Sequence, residues 1–281
     1  MTGTDGPADT PANADAPADG TGAEQARGVL HPQGAVGRFT VEQLRTAPAL
    51  ADTVEFYWWV RWDLRGQPPY EQKVLAHPNV HLVFEEPRPG LYGVDRGLFV
   101  RRLEGRGQVL GVKFRPGGFR PFWGRPVQDL ADRVVPAVEL FGAAVEQTGR
   151  RILAETDPQA LVALADAFLL DRLPAADPQA AEAAAMVASA TTDHSLVRVE
   201  QLAERHGVSV RTLQRLFAEY VGAPPKWVLR RARLHEAAQR AGAGSVDWAA
   251  LADSLGYADQ SHLTRDFTAV VGVPPTRYLR G

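Results

Sequence analysis

The stretch from Ala249 to Phe267 reads AALADSLGYADQSHLTRDF, and its punctuation decides the fold of the C-terminal third. Leu251 and Ala252 lie on one apolar helical face, and Gly256 is placed to end that helix in the left-handed conformation glycine adopts without steric cost. Tyr257 turns inward, and Asp259 offers a side-chain acceptor to the open N–H groups of a second helix, whose buried face is Leu263 and Phe267. A helix, a glycine turn and a capped second helix together make a helix-turn-helix.

The same arrangement stands 50 residues earlier, where Ser209 corresponds to Asp259. Leu202 and Ala203 form the apolar face, Gly207 the C-cap, Val208 the inward turn residue and Ser209 the cap, and Leu213, Leu216 and Phe217 are the buried side of the next helix. The ending Gly222-Ala223-Pro224-Pro225 is repeated as Gly272-Val273-Pro274-Pro275. Between the copies, Pro225 to Ala241 reads as one continuous helix, with Trp227, Leu229 and Leu234 apolar and Arg230, Arg231, Arg233 and Arg240 polar. Such a helix is a rigid spacer between the units. Taken singly, a Ser or Asp before an apolar run is an ordinary cap, and an exposed Arg is a solvated surface group. Two units with the same turn, cap and apolar spacing are far harder to obtain by chance.

The run from Ala249 to Phe267, with Gly272, Pro274-Pro275 and Tyr278, resembles the signature of the AraC/XylS family of transcription regulators over about residues 180–281. The resemblance implies two recognition helices presented to successive major-groove faces of one DNA duplex. Carried over by position, the groove-facing residues are Arg211, Gln214 and Arg215 in the first motif and Gln260, Ser261, Thr264 and Arg265 in the second, while Tyr257, Leu263 and Phe267 fall on core positions. Long polar side chains there can reach base edges or phosphates.

From about Thr53 to Phe122 the texture is strand-like. Strands are expected at Val54–Trp62, Gln72–His77, Val80–Glu85, Gly97–Leu103 and Val109–Phe114, separated by Gly/Pro-rich breaks such as Pro87-Arg88-Pro89-Gly90. Short strands at close spacing form a barrel or sandwich, because a small sheet must close or stack to hide its apolar face. The run Gly111 to Phe122 resembles the end of the cupin-like sensor domains that precede this DNA-binding domain in one branch of the family. After Pro126 the period becomes helical, and Asp157-Pro158 and Asp177-Pro178 are two helix starts.

The fold class expected is therefore two-domain α+β: a cupin-like β-barrel with a helical connector over 31–175, and an all-α domain with two helix-turn-helix motifs over 176–281. Residues 1–30, rich in Ala, Gly, Asp, Thr and Pro, read as a disordered tail. The aromatic density between Phe56 and Phe122 motivates an effector pocket lined by Trp58 and Phe84. A competing expectation makes Ala143–Leu170 a dimerisation surface through Val145, Ile152, Leu161, Leu164 and Phe168.

Composition limits the chemistry. Of 281 residues none is cysteine, which excludes disulfides, thiol nucleophiles and cysteine-bound metal clusters. The net charge of −2 hides a gradient: residues 1–30 carry a net −4, whereas twelve Lys/Arg against nine Asp/Glu give residues 190–281 a net +3. His77 and His81 are four apart, but Pro78-Asn79 between them breaks any helix that would point both at one metal. No metal site and no cofactor is expected. Apolar runs such as Phe56–Val60 are too short to span a membrane, and the N-terminus lacks the character of a signal peptide, so the expected location is the cytoplasm. The function expected is a non-enzymatic, sequence-specific transcription regulator, with activation the family habit. Its partners would be double-stranded DNA and RNA polymerase, with room for a small-molecule effector and a homodimer. The alternative is a cupin-type metalloenzyme fused to a helical protein-interaction domain.

Overall fold

The computed structural model describes residues 37–242 and 246–278; the tail expected over 1–30 lies outside the described residues. The N-terminal half is built on a six-stranded antiparallel sheet in the order β1-β2-β7-β4-β5-β8, formed by β1 (Phe39–Leu44), β2 (Val54–Asp63), β4 (His81–Phe84), β5 (Gly90–Tyr92), β7 (Arg106–Phe114) and β8 (Val134–Pro136). A separate two-stranded sheet pairs β3 (Tyr70–Val74) with β6 (Phe99–Leu103). The five expected strands are β2, β3, β4, β6 and β7. The expected barrel is open: its two sheets face each other across a cavity, with no ladder joining them among the described residues.

Alternation along β2 divides the large sheet into two faces. Tyr57 and Trp59 are buried with Leu82, Phe84, Leu110, Val112 and Phe114 in the first core. The helices α1 (Arg120–Trp123), α2 (Val138–Phe141), α3 (Ala144–Ala154) and α4 (Pro158–Leu170) cover that side. Tyr57 reaches across to donate to Asp166 Oδ1 at 2.7 Å, so a buried hydroxyl keeps a partner. Phe56, Trp58, Val60 and Trp62 point the other way, toward β3 and β6, and line a cavity.

The helical half begins with α5 (Pro178–Thr192), capped by Asp177 as its sequence implies. There follow α6 (Val199–Arg205), α7 (Val210–Leu216) with a π-helical turn at Phe217–Val221, the long α8 (Pro225–Gly242), α9 (Trp248–Ser254), α10 (Gln260–Val271) and α11 (Pro275–Tyr278). The spacer α8 spans two cores. Val228 and Leu229 pack with Leu202, Leu213 and Phe217, whereas Leu234, Ala237 and Ala241 pack with Leu251, Leu263 and Phe267.

The halves meet along two seams. Gly117 N–H donates to Tyr220 O at 3.1 Å, and Arg120 Nε pairs with Glu219 Oε1 at 2.6 Å. A Cβ at Gly117 would lie 2.5 Å from Ala180 O, so the close approach of the backbones requires glycine there. The second seam runs along α8 against residues 75–77 and 95–97.

Candidate nucleic-acid interface

Both motifs close as their caps and turn glycines dictate. In the first, Gly207 takes φ +62°, Val208 N–H returns to Ala203 O at 3.0 Å, and Ser209 Oγ accepts from Thr212 N–H at 3.1 Å. In the second, Gly256 takes φ +69°, Tyr257 N–H returns to Ala252 O at 2.9 Å, and Asp259 Oδ1 accepts from His262 N–H at 2.7 Å. The matching bonds give the two units the same turn. Leu213, Leu263 and Phe267 are buried, as is Tyr257. Arg211, Gln214, Arg215, Gln260, Ser261 and Arg265 are exposed on the opposite faces, and Thr264 is half-buried.

Three arginines of the spacer have internal partners. On the spacer, Arg230 Nε donates to Asp266 Oδ1 at 2.6 Å, Arg233 lies over the Tyr257 ring at 4.6 Å, and Arg240 pairs with Glu236 one turn away. Tyr257 in turn donates to Asp266 Oδ2 at 2.8 Å, and burial, reinforced by that carboxylate, pushes its hydroxyl pKa up. Burial alone would raise the Asp266 carboxyl; the hydrogen bonds from Arg230 and Tyr257 and the nearby guanidinium charges outweigh it and hold it below the usual range. Arg230 and Arg233 thus bind the spacer to the second motif, whereas the Arg240 pair lies within the spacer.

By contrast Arg211, Arg215, Lys226, Arg265 and Arg277 are exposed and enter no ion pair among the described residues. Lys226 and Arg277 were not singled out by sequence, although each follows one of the two Gly-x-Pro-Pro endings. Gln214 also borders a groove of about 600 Å³ that is lined as well by Gln128 and Asp129 of the N-terminal half.

Arg231, read from sequence as part of the polar side of the spacer, is only 2% exposed. Its Nη2 donates to Arg96 O at 2.7 Å and Gly97 O at 3.1 Å. Burial lowers its guanidinium pKa to about 10. Helical periodicity placed it away from the spacer's own core, and it is covered instead by a loop distant in sequence.

Between the two sheets lies a cavity of about 250 Å³, with Trp58 in its wall. Phe84 is on the other face of the sheet, fully buried and edge-on to Phe168, so it belongs to the core. The expected pair is thus split by the alternation of strands. The apolar side chains Val145, Ile152, Leu161 and Phe168 are also consumed by the first core, with Leu164 half-buried against it. They cover the sheet and leave little of the expected dimerisation surface.

His77 and His81 do not converge. Trp58 Nε1 donates to His81 Nδ1 at 3.1 Å, and burial, with Lys113 nearby, lowers the His81 pKa to about 3. His77 stacks on His235 of α8, ring centroids 3.9 Å apart. Among the described residues no group of three or more His, Cys, Asp or Glu is placed to hold a metal ion, and no helix is long and apolar enough to cross a membrane.

Comparison with known proteins adds the following. Residues 42–136 match a family model described as a domain of unknown function, and residues 202–281 match a family described as a helix-turn-helix domain. A putative AraC-like transcription regulator of Streptomyces lividans is 38% identical over 82 residues, which are 29% of this chain and 27% of that protein. The chain therefore spans about a quarter of the length of this curated relative. Among solved structures, the C-terminal domain of AraT, a response regulator from Geobacillus stearothermophilus, is 25% identical, covering 34% of this chain and 84% of that one at a TM-score of 0.31. ToxT from Vibrio cholerae O395 is 10% identical, covering 86% of this chain and 96% of that one at a TM-score of 0.40. With two capped motifs joined by one rigid helix, and with these sequence matches, the C-terminal part of the chain is a helix-turn-helix domain of the AraC type.

Proposed function

We propose that the chain is a non-enzymatic, sequence-specific DNA-binding regulator of transcription, acting in the bacterial cytoplasm, whose helices α7 and α10 enter successive major-groove segments of one duplex. The observation that carries this reading is the division of the basic side chains. Arg230, Arg233 and Arg240 on the spacer are engaged with Asp266, Tyr257 and Glu236, while Arg211, Arg215 and Arg265 on the recognition helices are exposed and unpaired among the described residues. A guanidinium with no internal partner can reach guanine bidentately or take a phosphate.

In this reading Arg211, Gln214 and Arg215, with Gln260, Ser261, Thr264 and Arg265, face the groove. Lys226 and Arg277 sit where they can take phosphates, which supply salt-dependent affinity without reading sequence. We divide the chain at about residue 176, with a sensor domain over 31–175 and the DNA-binding domain over 176–281. Its cavity, with Trp58 in the wall, is the effector site, and RNA polymerase and a second copy of the chain are further partners.

Selection of bound duplexes from a random library by the full-length protein tests the reading. Two enriched blocks about one helical turn apart, roughly 34 Å, are expected. Binding with no sequence enrichment, vanishing uniformly as salt rises, would contradict it.

A further inference from the structure

The cavity floor is built in matched register. Trp58 and Trp62, four residues apart on β2, face the same side and pair across the ladder with Gly111 and Gly107 of β7. A Cβ on Gly111 would stand 1.9 Å from the Trp58 ring, and one on Gly107 would stand 2.4 Å from the Trp62 ring. The two glycines therefore let both indoles lie over β7, on the cavity side of the sheet. The indole N–H groups are already used, on His81 Nδ1 at 3.1 Å and Glu104 O at 3.0 Å. Tyr92 and Phe99, edge to face at 6.0 Å, also line the cavity.

Of the charged side chains lining the cavity, Asp95 accepts from Gly97 N–H at 2.8 Å and attracts the buried Arg231 guanidinium, and the others are paired. Lys113 Nζ is paired with Glu55 at 3.0 Å, and Arg101 with Glu85 at 2.6 Å, where Glu85 also accepts from the Tyr92 hydroxyl. His81 is held neutral by burial. A ligand carrying a charge would have to break one of these pairs or sit unpaired in an apolar space, which is costly. A neutral ring system stacked on the indoles meets neither penalty.

One wall of the cavity is also a seam with α8. Leu75, Ala76, His77 and Asp95 border the cavity. Leu75 packs with Leu234 and Ala237 in the third core. The His77 ring lies flat on His235, and Ala76 O is 3.4 Å from His235 Nε2. Arg231 is held by the carbonyls of Arg96 and Gly97. The same helix carries Arg230, which grips Asp266 of the second recognition helix.

We propose that this cavity binds a planar, uncharged aromatic molecule stacked on Trp58 and Trp62, and that α8 reads its occupancy through the segments 75–77 and 95–97. The inference rests on the effector reading of the N-terminal half given above. Packed interfaces move between discrete arrangements, so a ligand that favours one position of this wall biases the seat of α8.

The test uses the full chain and two fluorescent probes sharing one ring skeleton, neutral N-phenyl-1-naphthylamine and its sulfonated counterpart 8-anilino-1-naphthalenesulfonate. The neutral probe should bind saturably, at one site and at least ~10-fold more tightly than the sulfonate, because each 1.4 kcal/mol of charge penalty is a factor of ten. Trp62→Leu should weaken it by a similar factor; Gly111→Ala, which must displace Trp58, should do the same, with thermal melts of both variants recorded to establish folding. The neutral probe should also change amide hydrogen exchange across residues 225–242, and His235→Ala or Arg231→Gln should abolish that change while probe binding persists. Sulfonate binding as tight as the neutral probe, or no binding by either, would overturn the ligand class. Binding with an exchange response confined to the cavity strands would overturn the coupling. None of these measurements contains DNA, so a failure of the DNA-binding reading would register separately, in the duplex selection.

Discussion

Asp266 on the second recognition helix receives Arg230 Nε from the spacer at 2.6 Å and the Tyr257 hydroxyl from the turn at 2.8 Å. One carboxylate thus ties together the spacer, the turn and the recognition helix of the second motif. Asp266→Ala would leave a partly buried guanidinium and a buried hydroxyl without their acceptor. Denaturant unfolding should show a loss of about 1–3 kcal/mol. Tyr257→Phe, which removes one donor only, should cost about 1 kcal/mol. An Asp266→Ala midpoint equal to that of the parent chain would contradict this role.

The two turn glycines differ in their surroundings. Gly207 takes φ +62° with open space where a Cβ would stand, whereas a Cβ on Gly256 would lie 2.4 Å from Val197 Cγ1. Both substitutions incur the left-handed penalty of about 1 kcal/mol, and only the second adds a collision. Thermal melts should therefore place Gly256→Ala clearly below Gly207→Ala. Equal losses would show that Val197 moves aside freely.

The helical half was legible because its signals are local. Asp177, Ser209, Asp259 and the turn glycines act within a few residues of themselves, and each caps or turns where its sequence position says. The spacer helix was equally plain. What the sequence hid is non-local. β5 consists of Gly90–Tyr92 and begins inside a Pro/Gly run that reads as a break, and β8 lies in a stretch that reads as helical. Both are three-residue strands stabilised by pairing with each other and, for β5, with β4. Trp58 and Phe84 are both aromatic, and only the sheet's pleat assigns one to the cavity and the other to the core. Arg231 looks like its solvated neighbours until the loop at 95–97 folds over it.

Two half-buried histidines, each packed against other side chains, give the fold a pH dependence. His81 and His235 titrate near 6.5 when unfolded, but burial lowers both to about 3 in the fold; at His235 the Ala76 carbonyl opposes it, and nearby cations add to the lowering at both. Because the folded pKa is the depressed one, their contribution is fully present above pH 6.5 and is lost as pH falls toward 3. At pH 5 the loss should be about 2 kcal/mol for each residue. Melting curves between pH 7 and 5 should show it, and His235→Phe, which keeps a ring against His77, should remove about half of the slope. A stability flat over that interval would contradict the neutral state of both rings.

Arg265 is exposed on the second recognition helix and enters no ion pair among the described residues. Arg265→Ala should leave the melting temperature unchanged and lower affinity for the selected duplex by about 1–3 kcal/mol, with sequence preference relaxed at one position. Equal weakening on selected and random duplexes would assign it to a phosphate instead.

The most direct measurement is a hydroxyl-radical footprint of the full-length protein on the duplex obtained by selection. Two protected windows on one face of the DNA, about 10 base pairs apart, are expected, with Arg265→Ala weakening one window and sparing the other. A single window, or protection spread evenly along the duplex, would contradict a reader with two recognition helices set by one rigid spacer.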